Sequence, residues 1–267
     1  GAAEALEMVR SVSFGDREFL FLNLMEAHEP YRVPDEYATV EEPPLADAVG
    51  DLSVSSDPPD TLRQAYADCA RYLSDVYREL FETLHEQFDL VVTLSDHGEL
   101  LGEHDAWGHE HGVYPELTHV PLCLSGEGFE GTSDAPVSLV DVHATVLDAA
   151  GLDPGGRGRS LLGDDVGGER LTEYHGLTPW SERKLGDEGY ADRVERYDRS
   201  LRGFAAQGFY GYETPDGFAE TGSGAVDDPR ERLAELADEL AVRDVQGAGD
   251  TEVPEEVEDR LKDLGYA

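Results

Sequence analysis

Asp96 and His97 stand side by side at the end of the apolar run "DLVVTL" (Asp89–Leu94), with Ser95 before them and Gly98 after. An adjacent Asp and His can offer an oxygen and an imidazole nitrogen to one divalent cation if the backbone turns sharply between them, and Gly98 permits such a turn. Their position matters as much as the pair. "DLVVTL" is the short β-branched run expected of a buried parallel strand, and open α/β sheets bind ligands just beyond the carboxyl ends of such strands. A polar Asp-His-Gly turn without a ligand would look the same locally. The neighbouring residues favour a site, because five of the nine histidines lie between Asp89 and Leu124. Glu99, Glu103, His104, His109 and His111 crowd a segment too polar for a core and too dense in titratable groups for an ordinary connector.

The stretches "SDHGELLGEH" (Ser95–His104) and "WGHEHGVYPELTHVPL" (Trp107–Leu122) resemble the late catalytic-domain motif of the sulfatases, in the alkaline phosphatase superfamily. Three further stretches are similar to that family in the same order. "FLFLNLMEAHEPYRVP" (Phe19–Pro34) resembles its strand and loop with a substrate-facing histidine, here His28. "VSLVDVHATVLDAAGLDPGGRGRSLL" (Val137–Leu162) resembles the helix and Gly-Arg-Ser-Leu segment that closes the catalytic domain, and "VPEEVEDRLKDLGYA" (Val253–Ala267) the terminal helix. Only residues 164–250 fall outside the resemblance.

The resemblance implies a metal-assisted sulfuric ester hydrolase. Asp96 and His97 would supply part of the metal site. His28 and His109 would act as catalytic residues that orient the sulfate or protonate the leaving alcohol. His104 and His111 would touch the substrate or orient the groups that do. The implied cofactors are a divalent metal, calcium first with magnesium, manganese or zinc as alternatives, and a formylglycine made from a motif Cys or Ser. The implied partner is a sulfated small molecule or sulfated glycan.

Two departures qualify this. The family's pattern C/S-x-P-x-R, which carries the nucleophile, occurs nowhere in the chain; "SSDPPD" (Ser55–Asp60) lacks the Arg, and neither Cys69 nor Cys123 has one at the needed spacing. With Gly1 at its start, the expectation is a truncated sequence whose nucleophile and two Asp ligands lie upstream, so activity of the chain as given is uncertain. At His109, many sulfatases have a sulfate-contacting Lys; a histidine can donate the same hydrogen bond, but its charge depends on pH near neutrality. Three other readings stay open: a phosphoesterase or phosphoryl transferase of the same superfamily, a non-catalytic remnant, and a zinc hydrolase built on His104, His109 and His111.

Composition sets the surroundings. The chain carries 59 acidic against 20 basic residues, a net charge of −39, and its only lysines are Lys184 and Lys262. Such self-repulsion suits high salt, where the Debye length falls to about 3 Å at 1 M. A halophilic, archaeal source is the expectation, in the cytoplasm or secreted. The same charge argues against nucleic acid or an anionic membrane as partner. It also requires a locally positive pocket for an anionic ester, from a metal, histidines and arginines. No stretch of the sequence reads as a membrane span. Both cysteines sit where apolar residues belong and are expected to be buried free thiols.

The elements that must position these groups can be read from periodicity. The fold class expected is α/β, the second half of an alkaline-phosphatase-like mixed sheet flanked by helices, plus a small C-terminal α+β subdomain. The boundaries expected are 1–163 for the partial catalytic domain and 164–267 for the subdomain. "GAAEALEMVR" (Gly1–Arg10) reads as a helix. Leu62, Ala65, Cys69, Leu73, Val76, Leu80 and Leu84 give helical spacing over Thr61–Gln87, feeding the strand at Asp89. Val40–Asp60, rich in Pro and Ser, reads as a long loop or lid. Ser138 with Asp141 forms a capping box for a helix that Gly151 ends. Beyond Leu162, an aromatic hairpin is expected around Pro215–Gly217, a helix capped by Asp228 and Pro229, and another from Pro254 to Gly265.

Overall fold

The structure, a computed structural model, describes residues 1–40, 59–163, 166–187 and 189–240. The bulk of the expected lid and the helix expected from Pro254 lie outside the described residues. Helix α1 (Ala2–Ser11) buries Ala2, Leu6 and Val9, the i, i+4, i+7 spacing of one helical face. That face packs on Leu80 and Leu84 near the end of α2 (Pro59–His85) and on Val91 of strand β1 (Leu90–Leu94). The other end of α2 buries Leu62, Ala65 and Cys69 with Tyr31 and Trp107. At 27 residues, α2 is about 40 Å long and joins two separate core clusters.

A buried carboxylate ties the loop before residue 41 to this helix. Asp68 accepts hydrogen bonds from the Thr39 backbone N–H (2.7 Å) and hydroxyl and from Gln64 (3.1 Å), and pairs with Arg71 at 3.2 Å. Burial alone would raise its pKa, but these donors and the cation outweigh it and hold the carboxyl below the ordinary range.

The expected buried parallel strand takes a different form. β1 pairs antiparallel with β4 (Leu122–Gly126), Val92 opposite Leu124, and only Val91 is fully buried. Phe19–Leu24, expected as a strand, carries no ladder among the described residues. Its side chains still alternate: Leu20, Leu22 and Leu24 pack against the α1–α2 cluster, while Phe19 and Phe21 are 74% and 75% exposed. β-branched apolar sequence marks a strand suited to two covered faces, and here helices cover one face only. Cys123, expected to be buried, is exposed on β4 for the same reason, whereas Cys69 is buried.

Helix α4 (Leu139–Ala149) has the expected capping box, with Asp141 accepting from the Ser138 N–H (2.9 Å) and Gly151 past its end at φ +72°. The short elements β2 (Leu100–Leu101), β3 (Trp107–Gly108) and α3 (Pro115–Thr118) lie between β1 and β4. After Leu162 comes an antiparallel sheet of β5 (Arg170–Tyr174), β6 (Leu201–Ala206), β7 (Phe209–Thr214) and β8 (Gly217–Gly222), in that order. The β7–β8 turn falls at Pro215–Asp216, where a hairpin was expected; β5 and β6 carried no clear signal. Helices α5 (Pro179–Asp187) and α6 (Ala191–Tyr197) connect β5 to β6. Helix α7 (Pro229–Glu239), capped by Asp228, covers Phe204 and Phe209 with Leu233 and Leu236. The whole is an α/β fold with a small α+β unit at its C-terminal side.

Candidate active site

The turn after β1 is pinned from several directions. The Ser95 hydroxyl donates to the His97 carbonyl (2.5 Å), and the His97 N–H donates to Asp96 Oδ1 (3.2 Å). The Gly98 N–H donates to the Leu117 carbonyl at the end of α3 (2.8 Å). A Cβ at residue 98 would stand 1.9 Å from the Glu116 carbonyl oxygen, so the close approach of α3 requires glycine there.

The β2–β3 ladder explains how His109 returns to this turn. Leu100 pairs with Gly108 and Leu101 with Trp107, so the next residues outward, Glu99 and His109, fall opposite one another. His109 Nδ1 donates to Glu99 Oε2 at 3.2 Å. Both side chains are sheltered, 17% exposed for His109 and 6% for Glu99. Burial pulls the His109 pKa down, but the hydrogen bond and charge of Glu99, with Glu110 and Glu29 nearby, outweigh it and leave the pKa raised. Tyr31, buried beside Glu99, has its hydroxyl pKa pushed up, by burial first and then by that carboxylate and Glu29.

Three imidazoles meet here. The His97 and His109 rings stack with centroids 4.2 Å apart, and His28 meets His109 edge-on at 5.3 Å. Each is oriented through the same nitrogen: His28 Nδ1 lies 2.7 Å from the Glu29 carbonyl and His97 Nδ1 2.8 Å from the Gly98 carbonyl. A carbonyl only accepts, so Nδ1 carries the proton in both rings, and Nε2 is left to act outward. His97 Nε2 is 3.8 Å from Asp96 Oδ1. Two donors each about 2.0–2.6 Å from a shared cation can be that far apart. A backbone carbonyl holding the far nitrogen of a metal-binding histidine is the usual supporting arrangement. The pair therefore fits one side of a divalent cation's shell, an oxygen and a nitrogen. No group of three or more His, Cys, Asp or Glu able to hold a metal ion occurs among the described residues.

His104 and His111 lie elsewhere. His104, at φ +59°, stacks on Tyr114 with centroids 4.0 Å apart and its Nε2 lies 3.1 Å from Glu116 Oε2. His111 is fully buried, 5.6 Å from the Tyr197 ring. Zinc bound by His104, His109 and His111 is thus contradicted: the first and last are engaged by separate neighbours. The residue that sequence reasoning left without a role is Glu99. Its signal was the short hairpin around Gly102, whose register sets it against His109. Tyr31 had no such signal.

The fold, the Asp-His-Gly turn and the histidines around it define a class. The sulfatase family model matches residues 2–152, more than half of the 267, and the chain belongs to that family. Among its relatives, mouse arylsulfatase K is 35% identical over 126 residues, covering 43% of this chain and 22% of that protein. The low-salt glycan biosynthesis sulfotransferase Agl7 of Haloferax volcanii is 30% identical over 165 residues, covering 58% of this chain and 37% of that one. A phosphonate monoester hydrolase from Silicibacter pomeroyi superposes with a TM-score of 0.48 at 22% identity, over 68% of this chain and 40% of its own. The chain spans less than two fifths of the length of these two sequence relatives.

Proposed function

We propose that this chain forms the substrate-orienting and part of the metal-binding side of a sulfuric ester hydrolase, completed by a nucleophile segment outside these 267 residues. The observation that carries this is the cluster of His28, His97 and His109, each held through Nδ1 by an oxygen acceptor so that Nε2 is the nitrogen left for a cation or substrate. In a protein of net charge −39, a group of imidazoles beside a metal is a means of receiving an anionic ester without adding negative charge.

Asp96 Oδ1 and His97 Nε2 would hold the cation, with calcium proposed first, and its charge would polarise the ester when bound. His109, its cationic form favoured by Glu99, would donate from Nε2 to a sulfate oxygen. The His28 ring meets that of His109 edge-on; with Nδ1–H held by the Glu29 carbonyl, it would donate from Nε2 to another oxygen or to the departing alkoxide only when protonated on both nitrogens. Tyr31 lies beside Glu99, and the Glu99–His109 pair is sheltered from water, which strengthens it. His104 and His111 are better read as groups that shape the loop. The substrate class proposed is a sulfated small molecule or glycan, in keeping with a relative named arylsulfatase. The acidic surface is proposed to be an adaptation to high salt. We divide the chain at residues 163 and 164, although the histidine loop packs on Leu185, Tyr197 and Leu201 across that line.

The exposed Phe19 and Phe21 support completion by another segment, since two uncovered aromatic rings are surface that a further layer would bury. The test is aryl sulfate hydrolysis at about 3 M KCl, where surface charge is screened. This chain is compared with one extended to include a C-x-P-x-R segment and coexpressed with a formylglycine-generating enzyme. Turnover by the extended chain only, lost on His97→Ala, is expected. Turnover by the short chain that His97→Ala abolishes would place the nucleophile within these residues and overturn the proposal.

A further inference from the structure

We infer that Ser181, in helix α5 of the C-terminal unit, is a positioning residue for His109, so that the C-terminal unit sets the geometry of the histidine cluster. The inference rests on the role proposed for His109. Ser181 is fully buried, and its hydroxyl lies 2.6 Å from Glu110 Oε2, the carboxylate next in sequence to His109. The Thr178 hydroxyl lies 2.8 Å from Ser181 Oγ and accepts the Ser181 backbone N–H at 3.1 Å.

Proton inventory gives this chain of bonds a direction. A carboxylate only accepts, so the one Ser181 hydroxyl proton goes to Glu110, and Thr178 must be the donor to Ser181 Oγ. Thr178 O–H therefore feeds Ser181 O–H, which feeds the Glu110 carboxylate, a charge-assisted and mutually polarised series. Thr178 immediately precedes α5 and caps its third residue, so the cap of the helix is also the arm that reaches the loop.

His109 is thereby held at two points. Its ring is held by Glu99, and the side chain of the next residue, Glu110, is held by Ser181, which limits where the main chain between them can go. Neighbouring ties support the same stretch: Arg193 donates to the Asp105 carbonyl (3.1 Å), and the Tyr210 hydroxyl to the Val113 carbonyl (2.8 Å). Those two bracket the loop at its ends. Ser181 reaches its middle, beside the ring that stacks on His97.

The test is imidazole NMR on the full 267-residue chain in concentrated KCl, with the His109 signals assigned by their absence in His109→Gln. Unmodified protein is expected to show a slowly exchanging His109 Nδ1–H held by Glu99. Ser181→Ala is expected to lose that signal and shift the ring resonances, leaving those of His85 and His143 in place, and Ser181→Thr, which restores the hydroxyl, is expected to recover it. An unchanged His109 spectrum in Ser181→Ala, accompanied by a lower unfolding midpoint, would assign Ser181 to packing alone and overturn the inference. If Ser181→Ala does not fold, Thr178→Val removes the hydroxyl that both feeds Ser181 and caps α5, and loss or retention of the His109 Nδ1–H signal is read in the same way. No turnover is required, so the result stands apart from whether the extended chain hydrolyses a sulfate ester.

Discussion

Replacing Gly98 by Ala would place a methyl group 1.9 Å from the Glu116 carbonyl oxygen, 2.9 Å from its carbon and 3.2 Å from Leu117 Cα. All three atoms are backbone, so no side chain can swing away. Ordinary contact begins at 3.4 Å, and 3.4 − 1.9 leaves 1.5 Å to be opened between the turn and α3. Movement of that size along the bond would stretch the Gly98 N–H···Leu117 contact from 2.8 Å to 2.8 + 1.5 = 4.3 Å, beyond hydrogen-bond range. Loss of a partly buried backbone bond costs about 1 kcal/mol. Overpacking that shifts backbone adds about 1–3 kcal/mol. The expected destabilisation is therefore about 2–4 kcal/mol, a large share of the roughly 5–15 kcal/mol that holds a typical domain together. Urea unfolding at fixed high salt measures it, with Gly186→Ala as the control. Gly186 is exposed on α5 with nothing within 4 Å of a built Cβ, and there alanine should stabilise by about 0.5–1 kcal/mol through helix propensity. A Gly98→Ala midpoint indistinguishable from the unmodified protein would refute the close seating of α3 against the Asp96–His97 turn.

Asp141 ties helix α4 to the segment after it and to strand β5, accepting from Arg170 Nε, the Arg159 N–H and the Ser138 N–H, each at 2.9 Å. Burial raises its pKa, but these partners outweigh that and lower it overall. A depressed folded value means stability present above the unfolded pKa of about 3.9 and lost as pH falls through the folded value. Asp141→Asn should flatten the acid limb of a thermal-stability-versus-pH curve below about pH 4 and cost roughly 3 kcal/mol at neutrality by leaving Arg170 buried without its carboxylate; an unchanged acid limb would show that Asp141 does not govern acid stability. Phe19→Ser and Phe21→Ser should each change the stability of this chain by less than about 0.5 kcal/mol, because neither ring is covered. The same changes should reduce copurification of a coexpressed nucleophile segment, and a large stability loss in the chain alone would mean that another layer already covers them. Finally, if the nucleophile lies outside these residues as proposed, aryl sulfate turnover by this chain should be indistinguishable from buffer, since removing a covalent nucleophile costs several orders of magnitude in rate.

Local chemistry was legible in the linear chain. Helix α2 followed from the spacing of Leu62, Ala65, Cys69, Leu80 and Leu84, and α4 and α7 from capping residues whose side chains compete for the first free N–H groups. The Pro-Asp-Gly turn marked the hairpin, and the density of histidines with an Asp-His-Gly turn after an apolar run pointed to the candidate site. Those features depend on neighbours within a few residues, so they survive being read one residue at a time. Tertiary structure decided the rest. The burial of β1 and Phe19–Leu24 depends on which layers cover them, which no single segment states; hence Val91 is buried while Phe21 and Cys123 are not. The sorting of the histidines was equally non-local: the imidazoles of one segment share a composition, yet register set His109 against Glu99, stacking drew His104 to Tyr114, and His111 was buried beside Tyr197 of α6. Ser181 was invisible as a partner of Glu110 because 71 residues separate them, and only the packing of α5 on the histidine loop brings that hydroxyl to the carboxylate.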